Sequence, residues 1–399
     1  MPDKVKMLPG VGVFGTGSLS KVMVCILQSA GFKVAALWGR TNDLAEKVAK
    51  ELDIPFYTSK VDDVLLHQDV DVVCVENPPH LHAQIAVKTL GIGKHVLCER
   101  PAGLCQLDAF RMVNAARYYP TLMSLMTHGL RFLPAFIKMR EMIRDNEIGD
   151  ILVCEVRVHC GSLLHEKYNW MCDEVMGGGV LNTIGSHIVD VITYLTNQKA
   201  AKVQGTLKTF LQQTEKIRGI RHITSDDFCS FQMQLEKGAC ATVTLNSHMP
   251  GRFLHEVLVV GKKGSLVVRD ADLYGQTNDL CKEEILLADT TDELPSLRKL
   301  GITNNSGDLP VPYLKGLLRL VDALKESFGK VEDRRSWAEE AVDIAATFED
   351  GLYVQTVLDA IRKSNQENGG WQKVNIMTEE PDPNPFLSSA LRHSQVSLH

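Results

Sequence analysis

An α/β protein, with a doubly wound parallel sheet in its first part and an α+β region after it, is what this sequence predicts. Three observations carry that expectation. Short apolar runs alternate with amphipathic helical stretches through about the first hundred residues, the signature of a parallel sheet covered by helices. A glycine-bearing turn, Gly15-Thr16-Gly17-Ser18, joins the first apolar run to the first helical stretch. After about residue 150 the pattern changes to period-two alternation with Lys-Gly turns, which predicts antiparallel strands.

The elements follow in order. "VGVFG" (11–15) is a strand, and Leu19, Val22, Met23, Ile26, Leu27 and Ala30 then recur at helical spacing, with Gly31 as the stop. "KVAALWG" (33–39) is the second strand, and Asp43 with Glu46 predicts a capping box for the helix after it. "DVDVVCVEN" (69–77) and "HVLCE" (95–99) are further buried strands with a helix between them. Four alternating stretches between residues 151 and 275 predict an antiparallel sheet, with turns at Lys237-Gly238 and Lys263-Gly264. Residues 279–311 read as a long polar loop, and helices are expected at 312–328 and 338–364. The expected domains are 1–128, 129–375 with the last helix returning to the first domain, and a polar tail, 376–399.

Composition narrows the function. Of 399 residues, 44% are hydrophobic and 23% charged, with 43 Lys plus Arg against 49 Asp plus Glu. A net charge of −6 without a basic run speaks against nucleic acid or an anionic membrane surface as partner. No run of apolar residues is long enough to span a membrane, and the first residues lack the apolar stretch of a signal peptide. The ten cysteines include no C-x-x-C pair. A reducing, cytoplasmic setting is expected, without disulfides or a metal site, although export by another route stays open.

The motifs point to a dinucleotide. Glycines in Gly15-Thr16-Gly17-Ser18-Leu19-Ser20 let the backbone approach a pyrophosphate, which the amides opening the helix then bind. Ser20 takes the place of the third glycine of G-x-G-x-x-G and is small enough for close helix–strand packing. The second strand ends in Trp38-Gly39-Arg40-Thr41. A carboxylate about 20 residues past the glycines accepts the ribose 2′-OH of NAD. Gly39 stands there, and Arg40 with Thr41 suits a 2′-phosphate, so NADP(H) is expected before NAD(H). Asn77-Pro78-Pro79-His80-Leu81-His82 lies beside the phosphate turn, and its two histidines at i, i+2 make a poor metal pair. Glu99-Arg100-Pro101 ends a strand at the edge where such sheets bind ligands. In 168–195, three glycines precede a buried helix on which His187 and Asp190 share a face; His187 is a candidate acid–base.

In this order and spacing, the phosphate turn, "NPPHLH", "GKHVLCERP" and "GGGVLNTIGSHIVD" resemble the glucose–fructose oxidoreductase/inositol dehydrogenase (Gfo/Idh/MocA) family. "LPGVGVFGTGS", "LRFLPAF", "ITSDDFC", "DLYGQ" and "MTEEP" resemble its animal branch, the glucose–fructose oxidoreductase domain-containing proteins. The resemblance implies a Rossmann domain followed by a domain with an open-faced sheet. It also implies hydride transfer between a nicotinamide and a sugar or polyol carbon, assisted by a lysine, an aspartate and a histidine. Glu99, Pro101, His187, Asp190, Pro78 and His82 match the family's motifs. The lysine is Arg100 and the aspartate is Thr183. An arginine stays charged and does not pass a proton.

The expected catalytic residues are His187, Arg100 and Glu99. The expected cofactor residues are Gly15, Thr16, Gly17, Ser18, Leu19, Arg40, Thr41, Asn77, Pro78, His82, Glu99 and Arg100. Tyr168, Trp170, Thr183, His187 and Asp190 are the expected substrate residues. Two readings stay open. One is an NADP-dependent oxidoreductase acting on a sugar-like or acidic polyol substrate; the other is a cofactor-binding protein without turnover that serves as regulator or scaffold. The alternating apolar residues of "CATVTL" and "HEVLVV" are expected to cover the second sheet in a homodimer or larger assembly.

Overall fold

The structure is a computed structural model that describes residues 8–164, 167–213, 222–251, 253–279, 282–290, 310–333 and 335–381. Its first part runs β1 (Val11–Phe14), α1 (Ser18–Ala30), β2 (Val34–Trp38), α2 (Asn42–Glu51), β3 (Phe56–Thr58) and α3 (Val61–Leu65). It continues through β4 (Val72–Val75), α4 (His82–Gly91), β5 (His95–Cys98), α5 (Gln106–Tyr118) and β6 (Ser124–Met126). Gly31 ends α1 in the left-handed conformation, as its place after the last periodic residue predicts. The cap of α2 differs from expectation. Thr41, not Asp43, stands at the N-cap, its hydroxyl accepting the Leu44 N–H at 3.4 Å, while Asp43 lies in the first turn.

These strands form a seven-stranded sheet in the order β15-β6-β5-β4-β1-β2-β3, where β15 is Ala346–Thr347. Every pairing is parallel except β15 with β6. One face buries Val11, Val13, Met23, Leu27 and Leu320; the other buries Phe14, Ile85, Leu90, Met112 and Val113. Both faces are covered, which is why these strands read as continuous apolar runs.

The second part contains α6 (Pro134–Arg144), β7 (Ile151–His159), α7 (Ser186–Thr196), β8 (Ala200–Lys208), β9 (Phe228–Leu235) and β10 (Cys240–Asn246). After these come β11 (Leu254–Gly261), β12 (Gly264–Arg269), β13 (Asp272–Thr277) and β14 (Glu284–Leu287). The chain closes with α8 (Val311–Gly329), α9 (Phe348–Gln366) and β16 (Gln372–Lys373). Nine strands pair in the order β14-β13-β12-β11-β7-β10-β9-β8-β16, antiparallel except for the central β7–β10 pair.

Several boundaries differ from the sequence reading. The second hairpin turns at Lys262-Lys263, and Gly264 already opens β12. β14 interrupts the expected loop 279–311, of which residues 280–281 and 291–309 lie outside the described residues. The helix expected from 338 begins at Phe348, where Thr347 and Asp350 form a capping box; Glu339–Val342 is a separate short turn. Of the expected tail, residues 382–399 also lie outside the description.

The open face is less apolar than expected. Ala241, Val243, Leu245, Val257 and Val259 point into the core, because alternate residues of a strand face opposite sides. The outer positions of the same strands hold Thr242, Thr244, Leu258 and Val260, crossed by ion pairs from Arg157 (2.5 Å) and Arg269 (2.9 Å) to Glu256.

Candidate active site

The carboxyl ends of the parallel strands are aligned by one further backbone bond each. Gly15 N–H donates to Trp38 O at 3.1 Å, Glu76 N–H to Phe14 O at 2.8 Å, Glu99 N–H to Val75 O at 2.9 Å and Thr127 N–H to Cys98 O at 2.9 Å. The residues just beyond the strands therefore stand along one edge. A cleft of about 410 Å³ lies there, walled by Gly17, Ser18, Leu19, Glu76, Asn77, Glu99 and Arg100 from the first part. Trp170, Thr183 and Tyr313 close it from the other side. A larger groove of about 750 Å³ at the far end of the second sheet has other lining, including Arg140 and Lys262. Arg140 stacks on Tyr194, and Lys262 pairs with Asp150.

The phosphate turn fits a dinucleotide. Gly15 sits at φ +144°, and a Cβ there would lie 2.3 Å from Ser20 Oγ and 2.6 Å from Glu76 O. Gly17 has open space where its side chain would be, and no side chain caps the amides of the thirteen-residue α1. Bare amides at a helix start bind phosphate. At Gly39 a Cβ would lie 2.9 Å from Thr16 Cγ2 and 3.0 Å from Ala45 Cβ, so a side chain at that position would require Thr16 or the start of α2 to shift. Arg40 and Thr41 are exposed beside it, outside the cleft lining.

His82, expected at the cofactor, is instead a fastener. It is fully buried, with its ring nitrogens 2.6 Å from Asn77 O and 2.8 Å from Pro101 O, and burial lowers it to about 4. It pins the turn after β4 to the turn after β5. Pro78 lies outside the lining and Pro79 within it. The Asn77 side chain has no partner among the described residues, which leaves it free for a ligand.

Arg100 links the expected catalytic residues. Its Nη1 pairs with Glu99 Oε1, its Nε–H donates to His187 Nε2, and Thr127 donates its hydroxyl proton to Glu99 Oε2. Burial lowers Arg100 only to about 10, so it stays charged at neutral pH. His187 is held well below its ordinary value, first by burial and then by Arg100, His128 and His255. Its Nε2 lone pair is occupied, so its proton sits on Nδ1, which has no partner among the described residues. A neutral imidazole whose basic nitrogen faces a guanidinium is a poor proton acceptor.

The glycines of the second part pack beside the cleft-lining Met171 and Thr183. A Cβ at Gly179, φ +111°, would lie 2.0 Å from Asp226 Oδ1, and one at Gly178 would lie 2.4 Å from Met171 O. The backbone therefore passes directly against Asp226, which accepts the Leu181 N–H at 2.7 Å. A short π-turn, Leu181–Gly185, opens α7 and leaves Thr183 half-buried in the cleft wall, its hydroxyl donating to Gly179 O at 2.8 Å.

Three expected substrate residues are not in the cleft lining: His187 is bonded to Arg100, which lines it, and two others lie elsewhere. Asp190 takes Arg131 bidentately at 2.5 and 2.9 Å and does not line the cleft. Tyr168 donates to His222 O at 3.4 Å and packs beside Cys172 and Ile223. The sequence reading missed Glu76 and Tyr313. Both are buried, line the cleft and have side-chain oxygens without a partner among the described residues. Glu76 had a signal, a lone acid ending the apolar run "VVCV"; Tyr313 had none.

Among the described residues no His, Cys, Asp and Glu cluster is arranged for a metal, the nine cysteines are free, and no helix is long and apolar enough to cross a membrane. The model of an oxidoreductase family with an NAD-binding Rossmann fold matches residues 10–125, and that of the GFO/IDH/MocA C-terminal domain matches 136–267. The chain belongs to the Gfo/Idh/MocA oxidoreductase family. Within the family it is 55% identical over 395 residues to glucose-fructose oxidoreductase domain-containing protein 1 of Xenopus tropicalis, covering 98% of this chain and 100% of that one. It is 53% identical over 392 residues to domain-containing protein 2 of Homo sapiens, with the same coverage. Among solved family structures, a levoglucosan dehydrogenase in complex with NADH and levoglucosan superposes with a TM-score of 0.74 at 20% identity. An oxidoreductase domain protein from Kribbella flavida superposes with a TM-score of 0.76 at 23% identity. Each covers 92% of this chain and 100% of its own, and at these identities the likeness shows the fold alone.

Proposed function

We propose that this protein binds a nicotinamide dinucleotide, NADP(H) in preference to NAD(H), and presents Arg100 to a sugar-like or acidic polyol ligand. Its acid–base relay is disabled, so the cofactor is retained rather than turned over and the protein acts as a regulator or scaffold. The observation that carries this reading is the Arg100–His187 bond, which occupies the only basic nitrogen of the imidazole. A bound nicotinamide supplies the hydride donor or acceptor. The chain's own groups then have three tasks: the Gly15–Leu19 turn and Asn77 bind, Arg100 orients an anionic or hydroxyl oxygen, and Trp170 and Tyr313 exclude water. The levoglucosan dehydrogenase structure with NADH supports a nicotinamide in this cleft.

A second reading, slow hydride transfer, is favoured by the cleft itself. About 410 Å³ is within the size range of small-molecule sites, and Thr183 lines it together with Arg100. The test is to purify the protein, follow the near-ultraviolet absorbance of reduced nicotinamide, and add a panel of sugars and sugar acids. Bound cofactor that no compound consumes is the expected result. Catalytic consumption with product release overturns the disabled-relay reading in favour of the second. In thermal-shift titrations NADP should stabilise the protein more than NAD. Arg40→Ala should cost NADP roughly tenfold in affinity, the weight of one charge-assisted contact, and leave NAD unchanged. Greater stabilisation by NAD overturns the preference.

A further inference from the structure

Glu76 is the one acidic side chain at the cleft floor with no partner among the described residues. It is 8% exposed, follows the last residue of β4, and neither carboxylate oxygen is hydrogen-bonded there. Its backbone is fixed on two sides: its N–H donates to Phe14 O at 2.8 Å, and Ser20 Oγ donates to its carbonyl at 3.1 Å. The side chain therefore stays in the cleft wall between the phosphate turn and Arg100.

Sheet order says which half of a dinucleotide meets it. In such folds the adenosine ribose lies at the end of the second strand and the pyrophosphate on the first turn. β4 and β5 lie on the other side of β1 from β2, so the nicotinamide half runs toward β4 and β5, where Glu76 ends the strand. The oxidised ring carries a positive charge and the reduced ring none.

We propose that Glu76 sets the relative affinity for oxidised and reduced cofactor. It releases its proton when the oxidised, cationic nicotinamide binds beside it, and keeps that proton against the neutral reduced ring. This rests on the cofactor-binding reading above.

The surroundings leave Glu76 as the titrating group. Burial raises its carboxyl to about 8 against the pull of Arg100, so a proton is present to be lost near neutral pH. Cys74 on its own strand and Cys98 on β5 are pushed well above the usual thiol range, and Cys160 beyond β7 to about 11, all by burial. Tyr313 on α8 is raised as well, Arg100 stays charged, and Glu99 is tied to Arg100 and Thr127. His187, beyond Arg100, stays neutral.

The sign follows from linkage. A nearby cation lowers a carboxyl's pKa, so oxidised cofactor binds better as pH rises toward the value of the free protein, by about tenfold per unit, and then levels off. Reduced cofactor gains nothing.

The test measures dissociation constants of NADP+ and NADPH by calorimetry between about pH 6.5 and about pH 8.5, for wild type and Glu76→Gln; in wild type their ratio should move at least roughly tenfold toward NADP+. The 2′-phosphate titrates in both forms and cancels in the ratio. In Glu76→Gln the ratio should be flat. Wild-type titrations in buffers of different ionisation heat should show more proton release with NADP+ than with NADPH, a readout that needs no variant to fold. If both forms bind with a pH-independent ratio and equal proton release, or if Glu76→Gln keeps the wild-type slope, the inference is overturned and cofactor binding stands. If neither form binds, the cofactor-binding reading itself fails, and the inference with it.

Discussion

Asp190→Ala is expected to destabilise the protein by about 3–5 kcal/mol, the range for removing one partner of a buried ion pair. Asp190 is 1% exposed and takes Arg131 Nη2 at 2.5 Å and Nε at 2.9 Å. Without it the guanidinium keeps Asp350 at 3.3 Å, the Ile344 carbonyl at 3.4 Å and the face of Tyr194. Only Asp350 carries compensating charge. Burial would raise Asp350, and Arg131 outweighs that to hold it below the usual range. The network joins the Gly129–Phe132 turn after β6 to α7 and α9, so its loss should loosen the seam between the two sheets and not one helix alone. Denaturant unfolding of wild type, Asp190→Ala and Asp190→Asn measures the cost. A loss below about 1 kcal/mol would mean that Asp350 suffices and that the bidentate pair is worth no more than a surface bridge. The residue the sequence offered as a substrate contact is thus expected to reveal itself through stability.

The second large effect is a gain. Arg100→Lys combined with Thr183→Asp should raise polyol-dependent reduction of the cofactor by about 10²–10⁴-fold, the worth of general acid–base help. Lysine removes the Nε–H that occupies His187 Nε2, and an amine in this buried site is lowered toward neutrality, so it can pass a proton where arginine cannot. Aspartate at 183, one turn before His187, supplies a charge to favour the imidazolium, where Thr183 now spends its hydroxyl on Gly179 O. Arg100→Lys alone should free the histidine but leave it untuned, and gain less. The measurement is initial rate against a panel of polyols and sugar acids, with cofactor affinity determined alongside. No gain with cofactor still bound would place the barrier in the rest of the wall, where Glu76 and Tyr313 stand.

Much of this architecture is local and was therefore legible. Leu19 to Ala30 repeat at helical spacing and form α1; Val11 to Phe14 form a strand buried on both faces; the Gly15–Ser18 turn falls between them. Each property depends on neighbours a few residues away, so a single chain displays it. The family's motifs are likewise short contiguous runs, and their order along the chain is enough to indicate the family. Misplaced boundaries share a cause. At Asp43 and at residue 338 one local signal lost to another, the cap formed by Thr41 with the Leu44 N–H in one case and the Thr347–Asp350 capping box in the other.

What the tertiary structure alone decided is who meets whom at the cleft. Arg100 and His187 are 87 residues apart, and neither motif announces that one would occupy the other's basic nitrogen. His187 and Asp190 share a helix, yet one turns to Arg100 and the other to Arg131, because two different elements pack against that helix. Glu76 is visible in the sequence as an acid ending an apolar strand, but that it lacks a partner among the described residues follows from everything folded around it. Sequence determined the scaffold and the dinucleotide turn through short-range periodicity and backbone freedom. Charge state and pairing in the cleft depend on burial and on contacts between distant segments, and only the assembled fold sets those.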